Sequence, residues 1–169
     1  MPKRLWIGMV ILGACARLAP HPWNFTPLIA LALFSGSQAR KLGTGVAVTL
    51  LALALSDAVM GFYRGFWDVY AAALIPVLLG RLIGSRAGAK SIALAALASS
   101  LSFFVITNFM VWAGGNMYAH TAAGLATCFA AAIPFYQNQL LGDTFYTVAL
   151  FGGYALIRSR LEPAQQQTA

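Results

Sequence analysis

The chain has 169 residues, 60% of them apolar and only 9% charged, with eleven Lys/Arg against four Asp/Glu for a formal net charge of +7. Soluble domains carry roughly 25% charged residues, and a mean hydropathy of +0.74 leaves too little polar surface to face water. An ordinary cytosolic enzyme and a disordered tail are therefore excluded, and the basic residues are too dispersed for a nucleic-acid-binding domain. The composition is that of an all-α polytopic membrane protein, one integral domain over residues 1–169.

A spanning helix needs about 20 residues. Seven apolar segments follow in chain order: 5–19, 27–36, 42–62, 69–84, 91–113, 118–136 and 140–157. The second is short for a crossing. Polar breaks separate them at 21–26, 38–41, 63–68, 85–90, 114–117 and 137–139. Lys3 and Arg4 before an apolar run ending Leu12-Gly13-Ala14-Cys15 also fit a lipoprotein-type signal peptide. Arg17 and Pro20 follow at once, so an uncleaved first helix fits better.

The basic residues set the topology. With a cytoplasmic N-terminus, Lys3, Arg4, Arg40, Lys41, Arg81, Arg86 and Lys90 fall inside, and Arg17 and Arg64 outside. An even number of crossings adds Arg158 and Arg160 to the inside, which strengthens the positive-inside asymmetry. The expectation is a six-helix transmembrane bundle in a bacterial inner (cytoplasmic) membrane, with both termini cytoplasmic. One segment must then fail to cross. Segment 118–136 opens Tyr-Ala-His-Thr, contains Gly124 and Thr127, and is interrupted by Pro134, so it reads as an extra outer-mouth or re-entrant helix.

Residues that break the apolar rule are the functional candidates. Arg17, Asp57, Asp68, Asn108 and Asp143 all fall towards the outer side. A charge near the bilayer midplane costs at least about 2.5 kcal/mol, so Asp57 needs a partner, and Arg17 is nearest in depth. That pair either ties helix 1 to helix 3 or faces a substrate cavity. The aromatics share the bias: Trp23, Trp67 and Trp112 lie in or beside the outer loops with Phe25, Phe62, Tyr63, Phe66 and Tyr118, against Trp6 inside. Such rings form an interfacial belt or line a pocket for a flat or apolar ligand. His21 and His120, in the first and last outer loops, lack the acidic or thiol neighbours of a dense metal site. Cys15 and Cys128 read as small buried hydrophobes.

No G-x-S-x-G, H-E-x-x-H or Walker A motif is present, and an enzyme is not expected. Gly43-Thr44-Gly45 lacks the context of a dinucleotide loop and reads as close helix packing. Gly80, Gly84 and Gly88 form a small-xxx-small ladder that serves either internal packing or a partner subunit.

Several features together resemble the substrate-binding S-components of energy-coupling-factor vitamin transporters. They are a short second helix ending Leu-Phe-Ser-Gly, a tight basic turn into a Gly-x-Gly helix start, and three polar, aromatic outer loops. Residues 17–27 (Arg-Leu-Ala-Pro-His-Pro-Trp-Asn-Phe-Thr-Pro), Leu55-Ser56-Asp57, Asn108-Phe-Met-Val-Trp112 and Ile133-Pro-Phe-Tyr are similar to a small bacterial and eukaryotic membrane family that itself resembles S-components. The resemblance implies a six-helix bundle with its ligand under the first, third and fifth loops, docked to a membrane coupling protein with ATPases. Helix 1 departs from the docking pattern: Ala14, Ala16 and Ala19 include no pair four apart, which leaves a solitary transporter open. The Met-His start of nickel and cobalt S-components is also missing.

The function expected is vitamin or cofactor uptake, with cobalamin or another corrinoid as a candidate substrate through an axial nitrogen of His21 or His120. Arg17, Asn24, Asp57 and Asn108 would orient the ligand. Trp23, Tyr63, Trp67, Trp112 and Tyr118 would supply contact area. The alternative is a non-transport structural or assembly protein whose polar residues only staple helices.

Overall fold

The computed structural model describes residues 3–166. Among them the chain is helical with no strand: α1 Lys3–Leu18, α2 Leu28–Gln38, α3 Leu42–Met60, α4 Phe66–Ala72, α5 Leu74–Ile83, α6 Ala89–Gly114, α7 Ala122–Thr147, a π-helical turn Val148–Gly152, and α8 Gly153–Gln166. Four stretches are long and apolar enough to cross a membrane: Leu42–Met60, Phe66–Ile83, Ala89–Gly114 and Ala122–Arg160. In hydrocarbon only a helix satisfies its own backbone, which is why so apolar a chain is almost wholly helical.

Two expectations change. The polar break at 137–139 is not a break, because α7 runs through Pro134 and on past Gln139. Segments 118–136 and 140–157 therefore form one rod rather than a mouth helix plus a last span. Membrane helices accommodate Pro when neighbours re-satisfy the freed backbone, and the Gln139 amide nitrogen is paired internally: Nε2 donates to the carbonyl and Oγ of Ser100 on α6. Asp143, expected near the start of a final helix, consequently lies one turn before the end of α7, near the middle of the continuous stretch Ala122–Arg160.

The centre of the bundle is α2, ten of whose eleven residues are buried. It packs most extensively against α5, and the two backbones meet at glycines. A Cβ on Gly36 would sit 2.0 Å from the Val77 carbonyl oxygen, and one on Gly80 would sit 2.1 Å from that of Leu33. Gly45 of α3 approaches Ser35 and Gly36 in the same way, so the Gly43-Thr44-Gly45 stretch does serve packing. Ser35 and Thr49 staple this contact, with Ser35 Oγ 3.3 Å from Thr49 Oγ1 and hydroxyl donation from both to the Gly45 carbonyl. The glycine ladder divides: Gly80 is buried in the crossing, Gly84 ends α5 with φ +70°, and nothing lies near a Cβ built on Gly88.

At 11 residues α2 is about 16 Å long, half the hydrocarbon thickness, because the preceding loop enters the bundle at mid-height. Phe25 stacks on Phe145 and Tyr146 with ring centroids 6.0 and 5.7 Å apart, and its backbone lies against Gly142, where a Cβ would meet Phe25 Cα at 3.0 Å. From Ala122 to that level α7 runs roughly 30 Å. The α6–α7 hairpin therefore extends well beyond loop 19–27. At the opposite end, Arg81 donates to the carbonyls of Ala39 and Arg40, and Ser37 donates to that of Gly84, which gathers the basic loops.

Gly80→Ala should destabilise the purified protein by about 1–3 kcal/mol or more, the cost of overpacking a rigid contact, whereas Gly88→Ala should stay within about 0.5 kcal/mol, as open positions do. Thermal unfolding in detergent distinguishes the two.

Candidate functional site

Where loop 19–27 dips into the bundle it leaves a chamber of about 230 Å³. Arg17 closes α1, and its guanidinium donates to Asp57 Oδ1 at 2.9 Å and to Ser56 Oγ. Ser56 can take that bond because its own hydroxyl is within donating distance of the Ala52 and Leu53 carbonyls one turn back. The Asp57 side chain is fully buried and that of Arg17 is 13% exposed. This is the pairing expected from depth, and it is built as such pairs must be, with the buried carboxylate held by a charge-assisted bond.

Asn24 supplies the turn that shapes the chamber. Its φ is +62°, a left-handed conformation that Asn tolerates better than most residues, and Phe25 N donates to the Pro22 carbonyl while Thr26 N donates to that of Asn24. The turn drives Phe25 into α7 and leaves Asn24 and Thr26 on the chamber wall. Tyr63, just past α3, lines the chamber from above. Burial pushes its phenol above the usual range, reinforced by the negative charge of Asp57.

The far wall is polar. Gln139, Asp143 and Thr147 recur every four residues on α7, which places them on one helical face, and they are only 6%, 3% and 7% exposed. Gln139 and Asp143 line the chamber opposite Arg17, with Thr107 of α6 beside them. Asp143 Oδ2 and Thr147 Oγ1 have no hydrogen-bond partner. Buried polar atoms normally do, so this side of the bundle holds unsatisfied capacity.

The chamber is the middle of a series. Tyr63, Val69 and Thr107 are shared with a vestibule of about 600 Å³ between the start of α4 and the α6–α7 tip, reached past Asp68 and Asn116. Asp143 is shared with an apolar groove of about 680 Å³ between α6 and α7. That groove in turn shares Ile92, Phe151 and Ala155 with a pocket at the basic loops, beside Arg86 and Arg158. The four spaces follow one another from one end of the bundle to the other.

Of the residues singled out from sequence, Arg17, Asn24 and Tyr63 line the chamber and Asp57 holds Arg17 in place. The others are turned to different tasks. Trp23 is 73% exposed and lies on Phe135, and Trp67 is 69% exposed and stacks on Phe66. Asn108 donates to the Phe104 carbonyl of its own helix and its backbone accepts from Cys128 Sγ. Trp112 and His120 pack edge to face and bond the carbonyls of Ala119 and Gly115, folding the hairpin tip, and Tyr118 lies in the same loop. Both His21 nitrogens face carbonyls, of Arg17 and Pro22, so the ring caps α1. No group of three or more His, Cys, Asp or Glu suited to a metal ion occurs among the described residues. Cys128 is buried as expected, but Cys15 is exposed. Thr26, Thr107 and Gln139 were not anticipated. The spacing 139/143/147 is the signal that reveals the α7 stripe once 137–139 is read as helix.

The profile of a family described as "Family of unknown function (DUF6580)" matches residues 3–166, and the chain belongs to that family. No curated protein and no solved structure matches.

Removing one member of the buried pair strands the other. Arg17→Met or Asp57→Leu alone should cost about 3–5 kcal/mol, and the double variant less than the sum of the two. Denaturant unfolding of the four proteins measures the coupling, and strict additivity would show that the pair does not interact.

Proposed function

We propose that this protein is the substrate-binding membrane subunit of an uptake system for a small vitamin-like or cofactor-like molecule. The observation that carries the reading is the run of adjoining spaces from the aromatic end to the basic end, with a polar chamber at mid-height. A structural protein has no need of a cavity bordered by unsatisfied buried polar atoms. Ligand sites, by contrast, are concave, with a few placed polar groups to fix orientation. Arg17, Asn24, Tyr63 and Gln139 supply those groups here.

The orientation that follows from the charge asymmetry is six crossings, α1, α2, α3, α4–α5, α6 and α7–α8, with both termini in the cytoplasm of a bacterial cell. The vestibule then opens outward and the basic pocket inward. Movement between them requires the Arg17–Asp57 end of α1 and α3 to part from α7, a rearrangement of packed helices of the kind that gates transporters. The energy comes from a partner coupling module with ATPases or from an ion gradient, since the chain has no nucleotide motif. The chamber is smaller than the roughly 300–1,000 Å³ of sites for drug-sized ligands. This favours a one- or two-ring molecule over a corrinoid.

The alternative, a membrane assembly factor, draws on one observation. The most apolar windows of α6 and of Ala122–Arg160 are only 17% buried, which leaves broad faces for a partner protein as well as for lipid.

Screening the purified protein against a vitamin panel at micromolar concentration, read as thermal shift, tests the proposal. One compound at 100 times its Kd should stabilise by about 2.7 kcal/mol, and Gln139→Leu should abolish that shift. If no compound shifts the wild type, the transport reading fails and the assembly reading stands.

A further inference from the structure

The groove between α6 and α7 has a construction that bundle packing does not explain. On its α6 wall Ala89, Ala93 and Ala96 leave a recess between the larger Ile92 and Leu97, faced by Phe151, Gly152 and Ala155. In membranes small residues bring helix backbones together. Here the three alanines face an open space of about 680 Å³. The backbone opposite is the π-helical turn Val148–Gly152, a local irregularity of the type that recurs at functional sites.

The head of the groove is polar. Asp143 and Thr147 both line it, both are more than nine-tenths buried, and Asp143 Oδ2 and Thr147 Oγ1 have no partner. The remaining side of Asp143 meets Ser100 and Gln139. Its situation differs from that of Asp57, which is equally buried but has the Arg17 guanidinium at 2.9 Å. No ion pair to Asp143 occurs among the described residues. A buried acid without a cation is costly, and a lipid tail filling the groove would satisfy neither orphaned oxygen.

We propose that Asp143 and the groove together form a site for a cationic amphiphile: a protonated amine at Asp143 and Thr147, and an apolar arm along the Ala89–Ala93–Ala96 wall. Because Asp143 also borders the chamber, the amine can sit at the junction, with its apolar part leaving sideways between α6 and α7. The inference rests on the uptake reading for its biological sense, and narrows the small ring-bearing substrate to one that is cationic and carries an apolar arm. The site itself is assayed without transport.

The test uses the full chain in phosphatidylcholine nanodiscs and a dodecylamine carrying a terminal diazirine, with the crosslinks mapped by mass spectrometry. Saturable labelling of α6 and α7 is expected, competed by dodecylamine and at least tenfold less well by dodecanoate. Asp143→Asn should weaken that competition at least tenfold. Ala93→Phe, which fills the groove and leaves the carboxylate untouched, should abolish labelling. It also serves as the decisive variant if Asp143→Asn does not fold. Equal competition by amine and acid, or labelling unchanged by both substitutions, overturns the proposal and leaves a lipid-filled seam. Labelling that persists when the vitamin panel gives no shift separates this site from failure of the uptake reading.

Discussion

The structure depends on the ion pair between Arg17 and Asp57. In a chain with so few charges, a carboxylate with no exposed side-chain surface is tolerable only with a cation and hydrogen bonds around it. Meeting that demand fixes the end of α1 against the end of α3. The chain leaving α1 then has nine residues, 19–27, in which to reach α2, and it does so by folding inward. His21 caps α1, Asn24 reverses the chain, and Phe25 wedges into the space that Gly142 leaves open. The chamber is the volume enclosed by that inward fold. It sits beside the pair because the same constraint created both.

Around this point the bundle uses two kinds of helix contact. At α2, α3 and α5, glycines and hydroxyls let backbones touch, and α2 becomes a buried strut. Between α6 and α7 the contact is a polar seam, in which Ser100 and Gln139 bond each other while Asp143 and Thr147 keep unspent hydrogen-bonding capacity. The first kind gives a rigid frame. The second gives a boundary with room beside it. Rearrangement of the seam against the frame is the motion that would join the adjoining spaces.

Much of this was legible in the sequence. Composition alone gives the class, and the cost of burying Asp57 picks Arg17 as its partner. The short second helix is visible as the seven apolar residues 28–34, set between Pro27 and Ser35-Gly36. The 137–139 segment misled, because Gln-Asn-Gln in an apolar run resembles a loop until Ser100, 39 residues away, is known to accept from Gln139. Tertiary partners of that kind carry no local signature. The tryptophans misled for a related reason. Trp23 and Trp67 face outward and Trp112 folds a hairpin, while the chamber wall includes the unremarkable Thr26, Thr107 and Gln139 beside Arg17 and Tyr63. A prominent ring is easier to notice in a sequence than a side chain whose role is to border a void.

A substrate chamber inside an apolar bundle requires that water reach it. With Cys15 and Cys128 replaced by Ser and Ala, single cysteines at Thr107 in the chamber and at Leu101, 53% exposed on the outer face of α6, can be challenged in intact membranes with a charged, membrane-impermeant thiol reagent. Rapid labelling is expected at Thr107→Cys and none at Leu101→Cys. Labelling at neither position, with a control cysteine in the 61–65 loop fully reactive, would contradict water access to the chamber.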